Sequence, residues 1–272
     1  MAVARVNDVD LYYEVHGSGQ RLALVHGSWM DASTWRRVVP GLAESFRLLV
    51  YDRRGHSRSE RTETQGSMEE DGDDLAALLE YLDLAPAHVV GSSLGGIVAL
   101  RLATRRPDLF LSLTCHEPPL WGLLENDAKS RPLLAQAARS VESIGRQIAA
   151  GDHAGAARQF VEEVTTGPGA WDGLVPAEVK EVMIRNAPTF LDELRDPTQV
   201  TIDEDSLTRI EIPVRLTLGS ESPPLFPRVI DRLERLIPHA GREVIEGAAH
   251  APHLTTARAY VELTKQALES LS

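Results

Sequence analysis

Short runs of apolar residues, rich in β-branched side chains and bounded by glycine or polar turns, recur along this sequence. Such runs predict buried β-strands, and several of the segments between them carry apolar residues at helical spacing. The predicted strands are residues 9–15, 21–25, 47–51, 87–90, 111–115, 214–218 and 242–245. Because strand and helix signals alternate, the pattern predicts an α/β fold with a mostly parallel sheet flanked by helices.

The clearest helix signal begins at Ser67, whose hydroxyl can cap the free amide groups of a first helical turn. Acids at positions 69–71 suit the positive end of the helix dipole, and leucines at 75, 78, 79 and 82 form one apolar stripe. Acidic residues dominate the whole stretch 60–83. We expect these carboxylates to lie on a solvated helix face.

A long segment in the second half lacks strand signals. Residues 125–209 contain several amphipathic helical stretches and no convincing strand. Helices are predicted there at 133–149, 154–164 and 177–185, and after it at 226–236 and 256–271. We therefore expect one α/β core, formed by residues 1–120 and 210–272, with a helical insertion of residues 121–209 that covers it as a cap or lid.

Composition narrows the range of partners. The chain of 272 residues has 28 basic and 40 acidic side chains and a formal net charge of -12, which repels nucleic acids and anionic membranes. It contains no apolar run of membrane-spanning length and no signal-peptide pattern. The single cysteine, Cys115, cannot form an internal disulfide, and no histidine pair has metal-ligand spacing. We expect a cytoplasmic protein without metal or cofactor, and the sequence leaves open whether it forms a homodimer.

The most informative motif is Gly-x-Ser-x-Gly at positions 91–95, which follows an apolar strand signal and runs directly into a helix signal. A strand, a sharp turn and a helix in this order form a nucleophile elbow, which exposes its central residue above the sheet edge. Ser93 occupies that position, and the amide of Leu94 at the helix N-terminus can stabilise a nearby negative charge. Ser93 is therefore the candidate nucleophile.

A serine hydroxyl needs a base to accept its proton. His250 is the preferred candidate because it follows the last predicted strand and a loop of small residues near the C-terminus. His253 is the alternative base, and its expected role is a helix cap or a wall of the substrate pocket.

The acid that orients the histidine has two candidates. The loop after strand 214–218 has Ser222 where aspartate is the usual residue, although Glu221 lies beside it. Glu117 follows strand 111–115, so it should emerge at the carboxyl edge of the sheet, where active sites of α/β proteins collect. We favour Glu117 and expect His116, one residue earlier, to point to the opposite face.

An early loop supplies the second half of an oxyanion hole. Ser28 follows the strand 21–25 and a His-Gly pair, which places its amide beside that of Leu94. Trp29 is a candidate wall of the substrate pocket. The charged loop 52–59 is expected to be structural.

Taken in order, the His-Gly pair at 26–27, the loop 52–57, the Gly-x-Ser-x-Gly motif and His250 resemble the α/β-hydrolase family over nearly the whole chain. The resemblance implies the α/β-hydrolase fold: an eight-stranded, mostly parallel sheet with a helical cap after the sixth strand. It also implies the chain order nucleophile, acid, histidine, which Ser93, Glu117 and His250 follow.

The placement of the acid is similar to that in the zearalenone lactone hydrolases, whose acid is a glutamate after the sixth strand. The shared features are residues 115–117, the loop 219–224 without aspartate, and Trp171 in the helical insertion. This resemblance implies the same roles for the three triad residues and the two oxyanion amides, and it places Trp171 near the substrate. The pair before Ser28 differs and much of the helical insertion does not align, so the substrate does not transfer.

These features predict a serine esterase or lactonase that cleaves a hydrophobic small-molecule ester or lactone through an acyl-enzyme, with water as the second substrate. A C–C bond hydrolase or a cofactor-free perhydrolase could use the same residues. A ligand receptor of the same fold could keep the pocket without turnover. Epoxide and haloalkane chemistry is disfavoured, because those enzymes of this fold carry a carboxylate at the elbow.

Overall fold

The computed structural model describes residues 2–63 and 67–269 of the chain. A sheet lies at its centre, and the predicted strands all belong to it. The strands are β1 (Ala2–Val6), β2 (Val9–His16), β3 (Gln20–Val25), β4 (Phe46–Tyr51), β5 (Ala87–Ser92), β6 (Phe110–His116), β7 (Val214–Gly219) and β8 (Gly241–Ile245).

The strands are arranged in the order β1-β2-β4-β3-β5-β6-β7-β8. β2 pairs antiparallel with β1 and with β4, whereas every neighbouring pair from β4 to β8 is parallel. The predicted eight-stranded, mostly parallel sheet is confirmed. The sequence pattern does not reveal β1, because only Ala4 and Val6 of this five-residue edge strand are buried.

Helices cover both faces of the sheet. They are α1 (Val39–Leu42), α2 (Met68–Tyr81), α3 (Leu94–Arg105), α4 (Arg131–Ala149), α5 (His153–Gln159), α6 (Ala170–Gly173), α7 (Ala177–Glu193), α8 (Glu204–Thr208), α9 (Leu225–Leu236), α10 (Pro252–Thr255) and α11 (Ala257–Glu269). α2, α3 and α9 pack on one face, and α1 and α11 pack on the other. The last predicted residues of α11, 270 and 271, lie outside the described residues. No helix within 2–63 and 67–269 combines the length and hydrophobicity needed to cross a bilayer.

The helical insertion lies between β6 and β7 and differs from the prediction in two places. The helix predicted at 154–164 is α-helical only as far as Gln159 and continues as a π-helical turn, Phe160–Thr165. The helix predicted to end at residue 185 continues to Glu193 through Pro188. An internal proline generally costs about 3 kcal/mol. Burial of the flanking Ala187 and Phe190 offsets this cost.

The acidic stretch 60–83 departs from its expected solvated position. Asp71 and Asp74 of α2 are buried. Arg53 binds Asp71 through two nitrogens at 3.1 and 2.9 Å, and Arg54 binds Asp74 through two at 2.7 Å. The prediction is wrong for these two carboxylates, because neighbouring arginines of the loop after β4 neutralise them as they become buried.

Candidate active site

The turn between β5 and α3 holds Ser93 at φ 54° and ψ -126°, a strained backbone conformation that is typical of functional turns. Its amide donates to the carbonyl oxygen of His116 at the end of β6, at 2.8 Å. The flanking glycines allow the close approach of neighbouring backbone. A methyl group on Gly91 would overlap Gly95, and one on Gly95 would overlap the carbonyl oxygen of Val25. The sequence motif therefore forms the sharp strand-to-helix turn that it predicts.

The two residues predicted to donate to the oxyanion line the same cavity as this serine. Leu94 is the first residue of α3, so its amide has no partner within the helix. Ser28 lines the same cavity as Ser93. The backbone just before Ser28 approaches Ser93 closely, since a Cβ atom placed on Gly27 would lie 2.9 Å from the Cβ atom of Ser93. Ser28, Ser93 and Leu94 thus line one cavity, with the backbone before Ser28 packed against Ser93.

His26 anchors the loop that carries Ser28. Its Nδ1 donates to the carbonyl oxygen of Gly27 at 2.8 Å, and its Nε2 accepts from the amide of Arg53 at 2.9 Å. Burial and the Arg53 charge lower the pKa of His26 to about 4, so the ring is neutral and keeps this tautomer. Since the C=O and the following N–H of a trans peptide point in opposite directions, this bond directs the Ser28 N–H away from His26. The sequence places His26 in this turn, but its bonds to Gly27 and Arg53 could not be predicted from it.

Glu117 and His250 form a direct pair, with His250 Nδ1 donating to Glu117 Oε2 at 2.6 Å. Glu117 is fully buried, and its Oε1 accepts from the amide of Gly219 at 2.7 Å and from the hydroxyl of Ser222 at 2.5 Å. Burial alone raises the pKa of Glu117, but His116, His250 and Ser222 together lower it to about 2. The carboxylate is therefore ionised at neutral pH.

The alternative acid, Glu221, does not join this pair. It is exposed, and it lines a separate surface depression of about 140 Å³. The structure places Glu117 against His250. Ser222 stands where an aspartate is usual and donates a hydrogen bond to the acid of the neighbouring strand.

His116 lies on the same side as Glu117, contrary to the expected alternation. Glu117 has a positive φ of 45°, which turns the chain at the end of β6 and breaks the strand geometry. The His116 ring centroid consequently lies 6.1 Å from that of His250. Burial lowers the pKa of His116 to about 4, so its ring is neutral at neutral pH.

Among the described residues, His116, Glu117 and His250 also form a group whose geometry could hold a metal ion, with ligand atoms within 4.8 Å of one another. However, both oxygens of Glu117 and the Nδ1 of His250 are already engaged in the bonds described above. His116 Nδ1 is bonded to the hydroxyl of Thr217 at 3.0 Å. This group is therefore organised as a hydrogen-bonded set around the carboxylate.

Ser93 and His250 line a two-lobed cavity beneath the helical insertion. The large lobe has a volume of about 260 Å³ and the small lobe about 70 Å³. The large lobe is lined by Ser28, Ser93, Leu94, Pro119, Trp121, Leu134, Ala137, Ala138, Val141, Phe160, Val164, Thr165, Phe190, Leu194, Gln199, Val200, Phe226 and His250. Most of these side chains are apolar, so the cavity suits an apolar ligand. Within the described residues, Ser93 Oγ makes no direct hydrogen bond to the His250 ring, as is common before substrate binds.

The three predicted pocket residues have different locations. His253 lines the small lobe, where its Nε2 bonds to the hydroxyl of Thr34 at 3.0 Å. Trp29 is fully buried between Phe160 and Phe190, with ring centroids 5.1 Å apart in both pairs, and it lines neither lobe. Trp171 is likewise buried within the helical insertion and lines neither lobe. Both tryptophans pack in one apolar cluster with Phe160 and Phe190, which line the large lobe.

One side of the helical insertion is fastened to the core by Asn186 of α7. Its Nδ2 donates to the carbonyl oxygen of Met30 at 2.9 Å, and its Oδ1 accepts from the amide of Ser57 at 2.9 Å. Asn186 is buried, so these bonds replace those that its amide would make with water. The sequence analysis missed this residue, because a single asparagine in a helix carries no signal of a distant partner.

A buried ionic link lies beside it. Arg53 of the core binds Glu193 at the end of α7 at 3.1 Å, in addition to Asp71. Burial and the Asp71 charge raise the pKa of Glu193 to about 7 against the opposing effect of Arg53. Glu193 therefore holds a proton more tightly than an ordinary glutamate does.

Comparison with known proteins agrees with this architecture. A family model described as the alpha/beta hydrolase fold matches residues 20–257. An uncharacterised hydrolase of Bacillus subtilis (strain 168), YraK, is 38% identical over 125 residues, which span 45% of this chain and 46%, less than half, of that protein. A pimeloyl-[acyl-carrier protein] methyl ester esterase of Neisseria meningitidis serogroup A is 28% identical over 93% of this chain and 78% of its own length.

Among solved structures, the enol-lactonase from Burkholderia xenovorans LB400 superposes with a TM-score of 0.80 at 19% identity, covering 98% of this chain and all of that one. At this identity the likeness concerns the fold alone. Together with the family match over most of the sequence, it leads to one conclusion: this chain belongs to the α/β-hydrolase fold family.

Proposed function

We propose that this protein is a serine hydrolase that cleaves carboxylic ester bonds in apolar small molecules. Ser93 acts as the nucleophile, His250 as the general base and Glu117 as the acid that orients it. The observation that carries this proposal is the 2.6 Å bond between Glu117 and His250, on the wall of an apolar cavity that Ser93 also lines.

The hydrogen bonds define how His250 works. Because its Nδ1–H is donated to Glu117, its Nε2 carries the lone pair that can accept the Ser93 proton. Ser93 Oγ then attacks the ester carbonyl, and the resulting tetrahedral oxyanion receives hydrogen bonds from the amides of Ser28 and Leu94. Each such donor typically contributes about 3 kcal/mol to the barrier reduction. The imidazolium is stabilised by the ionised Glu117.

The intermediate collapses when His250 Nε2 returns its proton to the leaving alkoxide, which breaks the ester C–O bond and leaves an acyl group on Ser93. A water molecule enters and gives its proton to the same nitrogen while its oxygen attacks the acyl carbon. Release of the carboxylic acid restores the Ser93 hydroxyl. Every proton transfer uses one nitrogen, which the Glu117 bond holds in place.

The named relatives support ester chemistry. The Neisseria relative is named for cleavage of a methyl ester, and the Burkholderia structure is named an enol-lactonase. Both reactions open a carboxylic ester linkage, which is the bond that the Ser93 site would cleave.

The test is a panel of apolar esters hydrolysed by the wild type and by Ser93→Ala. We expect Ser93-dependent release of acid, with a loss of at least about 10³-fold in kcat for the variant. Ser45→Ala, which changes an exposed serine that lines neither lobe, is the matched control and should retain activity. No turnover of any ester, or equal turnover by Ser93→Ala, would contradict the proposal and favour a ligand-binding role.

A further inference from the structure

The cavity is divided at the reaction centre. Five residues line both lobes: Ser28, Ser93, Phe160, Thr165 and His250. Phe160 and Thr165 are the two ends of the π-helical turn, an irregularity that is frequent at functional sites. A carbonyl carbon placed at Ser93 therefore has one substituent facing each lobe.

The small lobe limits the size of one substituent. Its volume of about 70 Å³ corresponds to roughly two water molecules, or three to four non-hydrogen atoms. All of its lining residues are buried or half-buried, and Trp35, Val179 and Met183 are among the buried ones. Several residues that line the small lobe also line the separate surface depression of about 140 Å³ that contains Glu221. A bulky group cannot enter this lobe without displacing packed side chains.

The large lobe has room for a much larger group. Its volume of about 260 Å³ exceeds the ~150 Å³ that accommodates a benzene molecule. Trp121, Ala137, Val164 and Phe226 are shared with a second depression of about 280 Å³, whose lining includes the exposed Glu163. The large lobe and this second depression therefore share an apolar wall.

We propose that the substrate is an open-chain, unsymmetrical ester, with a bulky apolar group in the large lobe and a group of roughly four non-hydrogen atoms or fewer in the small lobe. This inference rests on the proposed function. It separates open-chain esters from macrolactones, because a macrocycle joins its two halves and cannot divide them between lobes of such different size.

The test compares 2-naphthyl acetate and methyl 2-naphthoate, each bulky on one side, with 2-naphthyl benzoate, bulky on both. Rates are normalised to alkaline hydrolysis to remove differences in chemical reactivity. We expect at least one of the first two to exceed 2-naphthyl benzoate by about fiftyfold or more in kcat/KM. Equal rates, or a macrolactone as the preferred substrate, would overturn the inference.

Enlarging the small lobe provides the structural control. Met183→Ala should raise the relative rate on 2-naphthyl benzoate by about tenfold. Val179→Ala, a smaller truncation in the same lobe, should act in the same direction if Met183→Ala fails to fold. Leu194→Ala enlarges only the large lobe and should leave this selectivity unchanged. Ser93-dependent hydrolysis without size selectivity would refute this inference alone, whereas absence of Ser93-dependent hydrolysis would refute the proposed function.

Discussion

Glu117 shows how neighbouring residues can make an unusual acid position work. It directly follows β6, and it accepts hydrogen bonds from the Gly219 amide at the end of β7 and from the Ser222 hydroxyl in the loop after β7. His116, His250 and the Ser222 hydroxyl outweigh the effect of burial and lower the pKa of this carboxylate to about 2, so it stays charged. The loop that lacks an aspartate thus still supports the histidine through Glu117.

Replacing the acid by its neutral isostere tests this assignment. Glu117→Gln should lower kcat by about 10³- to 10⁴-fold, because a neutral amide does not stabilise the imidazolium or the required tautomer. Glu221→Gln is the matched control and should change kcat by no more than about twofold, since that side chain is exposed. Steady-state kinetics on one ester measures both. Comparable losses in the two variants would remove Glu117 from its assigned role.

Residue-level prediction works where the signal is local. Ser93 could be recognised because the turn geometry depends on glycines within a few positions. The orientation of Trp29 and Trp171 could not be predicted in this way. It depends on whether aromatic residues distant in sequence, such as Phe160 and Phe190, lie between them and the cavity. Ser222 was noticed as a missing acid, but its hydrogen bond to Glu117 spans 105 positions in the sequence.

At the level of elements, α7 connects the helical insertion to the core through buried polar bonds from Asn186 and Glu193. The sequence predicts its start but not its last turns, because Pro188 is normally a stop signal. The turns around that proline carry Asn186, which binds the loop that follows Ser28. Packing and these polar bonds together keep the helix continuous where local propensity favours an end.

Removal of the Asn186 amide should weaken this connection. Asn186→Ala leaves the Met30 carbonyl and the Ser57 amide without their partner, so we expect the free energy of unfolding to fall by about 2–3 kcal/mol. Urea denaturation measures the change. Asn126→Ala, at an exposed asparagine, should stay within about 0.5 kcal/mol of wild type. A similarly small effect of Asn186→Ala would show that packing alone holds α7.

For the whole molecule, the link from Asp71 through Arg53 to Glu193 joins α2, the loop after β4 and α7. The mostly parallel sheet could be predicted from the sequence, because it follows from hydrophobic periodicity. This link could not be predicted, because charge runs resemble solvated surface until the fold brings an arginine against them. Some of the acidic side chains of this negatively charged chain thus form buried ion pairs, while others lie on the surface.

Glu193 makes stability depend on pH. Its folded pKa of about 7 lies above the ordinary value of 4.5, so the folded state binds the proton more tightly than the unfolded state. The free energy of unfolding should therefore fall as pH rises from 4.5 to 7, by at most about 3 kcal/mol from this group.

Urea denaturation across this pH range tests that dependence. Glu193→Gln should remove the decline, whereas Glu181→Gln, at an exposed position of the same helix, should keep it. An unchanged pH dependence in Glu193→Gln would mean that Glu193 does not titrate in this range.

The central claim is that Ser93 is an activated nucleophile, and covalent labelling tests it most directly. The folded protein is treated with a fluorophosphonate and the adduct is located by peptide mass mapping. We predict a single adduct on Ser93, which is lost in Ser93→Ala and strongly slowed in His250→Ala. Absence of an adduct on Ser93 in the folded wild type, or an equal labelling rate in His250→Ala, would contradict the account.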